Sequence, residues 1–249
     1  MILDEIVKKK REKIPLTVRG RRPSHLPLIS LKKNLKREKR ISFIAEIKLA
    51  SPSEGDLIKG KEPLEILKEY EENGAEAISV ITEENFFKGN LELLYSVKRN
   101  TSLPVLRKDF LLHPSEILQA WINGADAVLL IARILSLELL KNLLEVTKEK
   151  GMEALVEVHN EREIEMAVEA GSEMIGVNNR DLDTLNVDVN VSLRLVNLIP
   201  EECLKISESG IYSFREVKLL QEAGFDAILV GTSLLKSKQP GKKLRELIQ

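Results

Sequence analysis

Apolar and polar positions in this chain follow one recurring pattern. The segments Gly74-Ala75-Glu76-Ala77-Ile78-Ser79-Val80-Ile81, Gly124-Ala125-Asp126-Ala127-Val128-Leu129-Leu130-Ile131, Gly171-Ser172-Glu173-Met174-Ile175-Gly176-Val177 and Gly224-Phe225-Asp226-Ala227-Ile228-Leu229-Val230 resemble one another. They lie about 50 residues apart, a period typical of repeated supersecondary units. In each, a helix is predicted to end at the glycine, which takes a left-handed conformation at little cost. A short acidic turn follows, then a continuous apolar run suited to a parallel strand buried on both faces. Four further apolar runs lie between them: Ile41–Lys48, Leu103–Lys108, Ala154–Val158 and Leu204–Ser209. Helical patterns follow these runs, as at Pro63–Asn73, Pro114–Asn123, Glu161–Ala170 and Ser213–Ala223. Eight strands alternating with about eight helices imply a parallel sheet, and their number fits a closed (β/α)8 barrel, the TIM barrel of the α/β class. An open doubly wound sheet would show a glycine-rich fingerprint after its first strand, and none stands there.

Residues 1–40 precede the first strand and form an N-terminal extension of a single domain spanning 1–249. Ile2, Leu3, Ile6 and Val7 make an apolar stripe at helical spacing. The stretch from Lys32 to Arg40 is strongly basic. Its primary reading is a solvated segment packed on the barrel, with a nucleic-acid or acidic-partner patch as the alternative.

Composition narrows the class. The 249 residues carry 38 Lys and Arg against 39 Asp and Glu, a formal net charge of −1, which excludes a surface built throughout to coat nucleic acid. At 43% hydrophobic residues the chain can fill a sizeable core. The lone Cys203 excludes an internal disulfide framework and a cysteine-rich metal site. Neither a signal peptide nor a membrane span is read, so a cytoplasmic protein that does not engage membranes is expected.

Charges at strand ends carry the candidate chemistry. Burying a charge costs several kcal/mol unless it is paired or functional, and the C-terminal face of a barrel is where such residues act. Period-2 alternation places Ile44, Glu46 and Lys48 on one face, Leu106, Lys108 and Phe110 on another, and Leu155, Glu157 and His159 on a third. If these faces point inward, two lysines and two glutamates meet at one mouth, with Asn178 and Ser209 beside them. Neighbouring charges and partial burial are expected to move their pKa values toward neutrality, as general acid–base chemistry needs. The alternative is a salt-bridge network that plugs the barrel. Gly210 after strand seven and Gly231-Thr232 after strand eight let backbone N–H groups approach a phosphate, and Ser51 in the loop Ala50–Gly60 adds a hydroxyl.

Here the residues resemble a known family. Ile44-Ala45-Glu46-Ile47-Lys48-Leu49-Ala50-Ser51-Pro52-Ser53 is similar to the first-strand signature of the indole-3-glycerol-phosphate synthases. Leu106-Arg107-Lys108-Asp109-Phe110, Leu155-Val156-Glu157-Val158-His159, Gly176-Val177-Asn178-Asn179-Arg180-Asp181-Leu182 and Glu208-Ser209-Gly210-Ile211 extend the match over nearly the whole chain. The resemblance implies closure of an indole ring on 1-(2-carboxyphenylamino)-1-deoxyribulose 5-phosphate, with loss of carbon dioxide and water. It implies Lys108 as the acid of ring closure, Glu157 and Lys48 as base and acid of dehydration, and Glu46 as the group that orients them. Asn178 and Ser209 would hydrogen-bond the substrate, Arg180 would face its carboxylate, and Phe110, Leu129 and Leu182 would wall its aromatic ring. Ser51, Gly210, Gly231 and Thr232 would hold the phosphate. A phosphorylated small molecule is then the only partner, no cofactor or metal is called for, and a monomer is expected. Leu49 and Asn85 depart from the family, whose members often carry a basic residue at the first position and a lysine at the second.

Other residues read more plainly. Cys203, His25, His113 and Trp121 are expected to pack or to lie in loops, and Arg107 and Asp109 to pair structurally. Glu208 is read as supporting the rim through hydrogen bonds, and His159 shares a face with Glu157, with a place behind that carboxylate as the lesser alternative. Three rival functions use the same features: a phosphosugar isomerase, a Schiff-base aldolase working through Lys108 or Lys48, and a non-catalytic phosphate-ligand binder.

Overall fold

The computed structural model describes residues 2–15, 17–36 and 40–249. Eight parallel strands close into a barrel: β1 (Ser42–Ile47), β2 (Ala77–Ile81), β3 (Val105–Lys108), β4 (Ala127–Ile131), β5 (Glu153–Val158), β6 (Met174–Asn178), β7 (Leu204–Glu208) and β8 (Ala227–Val230). Each strand pairs with its neighbours in sequence, and β1 joins β8 through Ser42↔Ala227 and β2 through Ile44↔Ala77. The expected (β/α)8 barrel is the observed architecture. Helices cover its outside, among them α3 (Pro63–Glu72), α4 (Leu91–Arg99), α5 (Pro114–Ile122), α6 (Leu137–Glu149), α7 (Glu161–Glu169) and α8 (Asn190–Leu195). They continue with α9 (Phe214–Glu222), the short α10 (Thr232–Leu235) and α11 (Pro240–Ile248). The stretch expected as a plain loop after β1 contains a small hairpin, Ala50–Ser51 against Gly55–Asp56.

The repeated segments fold as their pattern predicts. Gly74, Gly124, Gly171 and Gly224 all hold φ between +84° and +98°. The acidic residue two positions later has a backbone job in three of the repeats. Glu76 accepts the Phe43 N–H at 2.8 Å, Asp126 the Val105 N–H at 2.8 Å and Asp226 the Lys205 N–H at 2.7 Å. Each carboxylate thus satisfies a donor on the strand before its own, which an unpaired buried amide would need. Glu173 differs: it is mostly exposed and pairs with Lys32 at 2.6 Å.

Alternation along the strands divides the core. Phe43, Ala45 and Ile47 face the helices, whereas Ile44, Leu106, Leu129, Leu155, Ile206 and Leu229 fill the barrel interior. The extension contributes at both ends. The first helix, α1 (Ile2–Glu12), buries Leu3 and Ile6. The second, α2 (Leu31–Leu35), inserts Leu31 and Leu35, both fully buried, into the interior cluster with Ala77, Ala127 and Ala227. Burial of a leucine contributes about 1.5–3 kcal/mol, so five residues close the lower end of the barrel. Of the basic stretch, Lys32 pairs with Glu173 and Arg40 with buried Glu76. Arg37, Glu38 and Lys39 lie outside the described residues.

Candidate active site

Two residues above Ile44 on the same inward face stands Glu46, and the apolar interior gives way to charge. Lys48 Nζ lies 2.8 Å from Glu46 Oε1. Lys108 Nζ occupies the centre, 2.5 Å from Glu208 Oε2, 3.7 Å from Glu157 Oε2 and 3.8 Å from Glu46 Oε2. All three carboxylates are buried. Glu46, Lys48, Lys108, Phe110, Leu129, Glu157, Asn178, Arg180, Leu182, Ser209, Gly210, Gly231 and Thr232 line one cavity at the C-terminal mouth of the barrel. Ser51 alone of the expected site residues lies outside it. It lines an adjoining side chamber that also meets Lys48, Arg180 and Thr232.

The ionisation of this cluster differs from the sequence expectation. Burial pulls the Lys108 ammonium pKa down, but the carboxylates of Glu208, Glu46 and Glu157 outweigh it, and the net shift is upward, away from neutrality. Burial pushes the Glu46 carboxyl up, yet Lys48 and Lys108 hold it below its ordinary range. The group that does move to neutrality is Glu208, pushed up to about 7 by burial and by the charges of Glu157 and Glu46 against the pull of Lys108. Its Oε1 has no hydrogen-bond partner. Glu208 therefore belongs to the charged centre, a correction to the rim-supporting role expected from the sequence. Its signal was present: Leu204 and Ile206 share its inward face.

Glycines make room for these carboxylates. A Cβ at Gly176 would overlap Glu208 Oε1, and a Cβ at Gly231 would overlap Glu46 Oε1. Gly231 is thus fixed by the Glu46 carboxylate as well as by its place at the start of α10. The turn after β7 is unusual too. Ser209 holds φ +65° and Gly210 φ +79°. A non-glycine residue there costs about 1–3 kcal/mol unless its surroundings impose the conformation. Asn179 does so, donating from Nδ2 to Ser207 Oγ and to the Ser209 carbonyl, both at 3.0 Å.

The remaining lining mixes apolar, polar and charged side chains. Asn178 Oδ1 accepts the Arg180 N–H at 3.0 Å, and Arg180 Nη1 donates to the Leu185 carbonyl at 3.0 Å. The first bond fixes the backbone at Arg180 and the second holds its guanidinium. Phe87, not singled out from sequence, joins the wall with its ring centroid 6.3 Å from that of Phe110. The buried Glu83 carboxylate fixes its loop by accepting the N–H groups of Asn85, Phe86 and Phe87. Ile2, Leu3 and Ile6 of α1 line the side chamber, so the extension reaches the site. Ser51 Oγ and Ser233 Oγ are buried and unpartnered beside Thr232 and the turn after β8. Arg107 and Asp109, as expected, pair with each other at 2.9 Å, and Asp109, which borders the cavity, also meets Lys10 of α1 at 3.0 Å. Buried Cys203 donates to the Ser172 carbonyl.

Comparison with known proteins agrees with this geometry. Two solved structures share the fold at low identity. They are 3-hexulose-6-phosphate synthase from Salmonella typhimurium (TM-score 0.68, 14% identity, 84% of this chain and 97% of that one) and thiamine phosphate pyrophosphorylase from Pyrococcus furiosus (TM-score 0.63, 16% identity, 88% and 96%). Indole-3-glycerol phosphate synthase of Acetivibrio thermocellus is 44% identical over 99% of this chain and 98% of its own length. Those of Campylobacter jejuni and Carboxydothermus hydrogenoformans are each 42% identical over the full length of both chains. The model of the family described as indole-3-glycerol phosphate synthase matches residues 3–247. With that match over nearly its whole length, the chain belongs to the indole-3-glycerol phosphate synthase family.

Proposed function

We propose that the barrel mouth converts 1-(2-carboxyphenylamino)-1-deoxyribulose 5-phosphate into indole-3-glycerol phosphate, carbon dioxide and water, with the residue roles that follow. The observation that carries this reading is the convergence of Lys48 and Lys108 with Glu46, Glu157 and Glu208 on one rim, within 4 Å of one another in successive pairs. In the first step the aromatic carbon bearing the carboxylate attacks the ribulose carbonyl. Lys108 donates a proton to the carbonyl oxygen as the carbon–carbon bond forms, and the carboxylate leaves as carbon dioxide. Lys108 rests as an ammonium, so it is loaded for this step. Its carboxylate partners stabilise that charge, and the substrate must loosen them before the proton is given up. Glu208, with its proton affinity near neutrality, is placed to return the proton. In the second step Lys48 protonates the departing hydroxyl and Glu157 takes a proton from the carbon skeleton, giving the aromatic indole.

Binding follows the same division. Arg180 suits the substrate carboxylate, because a guanidinium grips a carboxylate bidentately. Phe110, Leu129 and Leu182, with Phe87, wall the aromatic ring. Gly210, Gly231 and Thr232 offer backbone donors to the phosphate, and the unpartnered hydroxyls of Ser51 and Ser233 add two more. Asn178 and Ser209 face the sugar hydroxyls. Proton transfer and fixed charges supply the chemistry these side chains can perform. The raised proton affinity of Lys108 argues against an aldolase working through that lysine, which would need a neutral amine as nucleophile. The lone buried thiol suits a reducing compartment such as the cytoplasm. Among the described residues no helix is long and apolar enough to cross a membrane. The test is a fluorescence assay: indole emission should grow when the anilino-deoxyribulose phosphate is added, and a flat trace from folded protein would reject the reading.

A further inference from the structure

Glu157 has two oxygens and two neighbours. Oε2 faces Lys108 at 3.7 Å, and Oε1 faces His159 Nε2 at 3.4 Å. The His159 side chain is 8% exposed, and its Nε2 is buried without a hydrogen bond. On the other edge of the ring, Nδ1 lies 3.0 Å from Glu163 Oε2. Glu163 also accepts the His159 backbone N–H at 2.8 Å and Asn160 Nδ2 at 2.7 Å. Burial favours its neutral form, but these donors together hold Glu163 below its ordinary pKa, as a carboxylate. Nδ1 must therefore carry a hydrogen. A neutral ring would then present its bare Nε2 lone pair to the Glu157 carboxylate at 3.4 Å, too close for a third polar group to sit between them. Such an arrangement is repulsive, and a second ring proton removes the repulsion.

The helix start shows that this clamp is more than capping. In α9, Glu216 at the third helical position reaches back to the N-cap residue Ser213, forming the reciprocal capping box. In α7, Glu163 has the same spacing from the N-cap Asn160, yet its carboxylate reaches past the cap to His159.

We propose that His159, clamped by Glu163, is a positioning residue whose imidazolium points a proton at Glu157 and keeps that carboxylate ionised and turned toward Lys108. This rests on the role given to Glu157 above and adds a residue to that machinery. The charged groups facing the ring are Glu163 from α7, Glu157 from its own strand and Glu208 from β7, with Lys108 on the far side of Glu157. Burial opposes the imidazolium, but the three carboxylates outweigh it and raise the ring's proton affinity. His159 itself stays off the substrate and acts through Glu157.

The chain has three histidines, so nitrogen–proton correlations of the labelled full-length protein can resolve each ring. The signal lost in His159→Gln identifies the ring in question. It should read as imidazolium at pH 7.0, and its titration should move down by about one pH unit or more in Glu157→Gln and in Glu163→Gln. In the fluorescence assay, His159→Gln should lower kcat about tenfold, the scale of one charge-assisted contact, with KM within about twofold of the parent. Its kcat should also lose the decline that the parent shows as pH rises through the titration of the ring. If His159→Gln does not fold, Glu163→Gln keeps the ring and the Asn160 cap and serves in its place. A neutral ring at pH 7.0, a titration indifferent to Glu157→Gln, or unchanged kcat in a folded variant would each overturn the proposal. If the parent forms no indole product while the two titrations stay coupled, the reaction assignment falls and the His159–Glu157 coupling stands.

Discussion

The two ends of the barrel interior are built on the same alternation and reach opposite results. At the lower end, Leu31 and Leu35 of α2 close the interior against Ala77, Ala127, Ala227 and Ile44. Two residues above Ile44, the inward position holds Glu46. The same step carries Leu106 to Lys108, Leu155 to Glu157 and Ile206 to Glu208. One rung of the strands separates a dry plug from a cluster of ammonium and carboxylate groups. The lower end spends its side chains on burial. The upper end holds buried charges that an apolar filling would outdo in stability. The comparison teaches that stability and chemistry are separated by height along the barrel axis, so variants at the two ends should fail in different ways.

The sharpest break in that comparison is Lys108→Met. It should lower kcat by about 10²-fold or more, as loss of a general acid does, while retaining the apolar stem. Circular dichroism and steady-state fluorescence on one sample would show a folded protein without turnover. Leu31→Ala or Leu35→Ala should do the reverse. Each should cost about 2–5 kcal/mol of stability in urea unfolding, with kcat per folded molecule retained. Equal effects on both readouts at both ends would erase the division.

A smaller effect is expected at Gly231. An added side chain strikes Glu46 before it reaches any phosphate, so Gly231→Ala should depress kcat as well as raise KM. A change in KM alone would remove the link between the glycine and the carboxylate.

Glu208→Gln sharpens the account through pH. The folded-state pKa of Glu208, about 7, lies above its ordinary carboxyl value of 4.5, so its proton is held more tightly in the folded chain. Its contribution to stability is full below pH 4.5 and is lost as pH rises through 7. Glu208→Gln should flatten the fall in melting temperature between pH 5 and pH 8 by a few degrees. An identical slope in parent and variant would remove Glu208 from the titrating centre.

Much of this was legible in the sequence. Buried strands should be apolar, so Glu46, Lys48, Lys108 and Glu157 announced themselves as exceptions, and period 2 fixed their shared direction. The repeated glycines predicted their left-handed turns for the same local reason. What escaped depended on contacts distant in sequence. The α2 plug is a five-residue helix inside a basic stretch, too short for periodicity to register. Glu208 was visible as a charge, but its ionisation depends on Glu157 and Glu46 from two other strands. The Lys108 shift went opposite to the expectation because three carboxylates surround it, and their number is a property of closure. Phe87 sits in a polar loop, and its place in the wall follows from the Glu83 carboxylate gathering three backbone N–H groups.

The most direct test of the rim as a single catalytic centre is indole fluorescence on mixing the anilino-deoxyribulose phosphate with the parent chain and with Lys108→Met at equal folded concentration. Emission should rise with the parent and stay near baseline with the variant. A parent that yields no product, or a variant that yields it at the parental rate, would contradict the central claim.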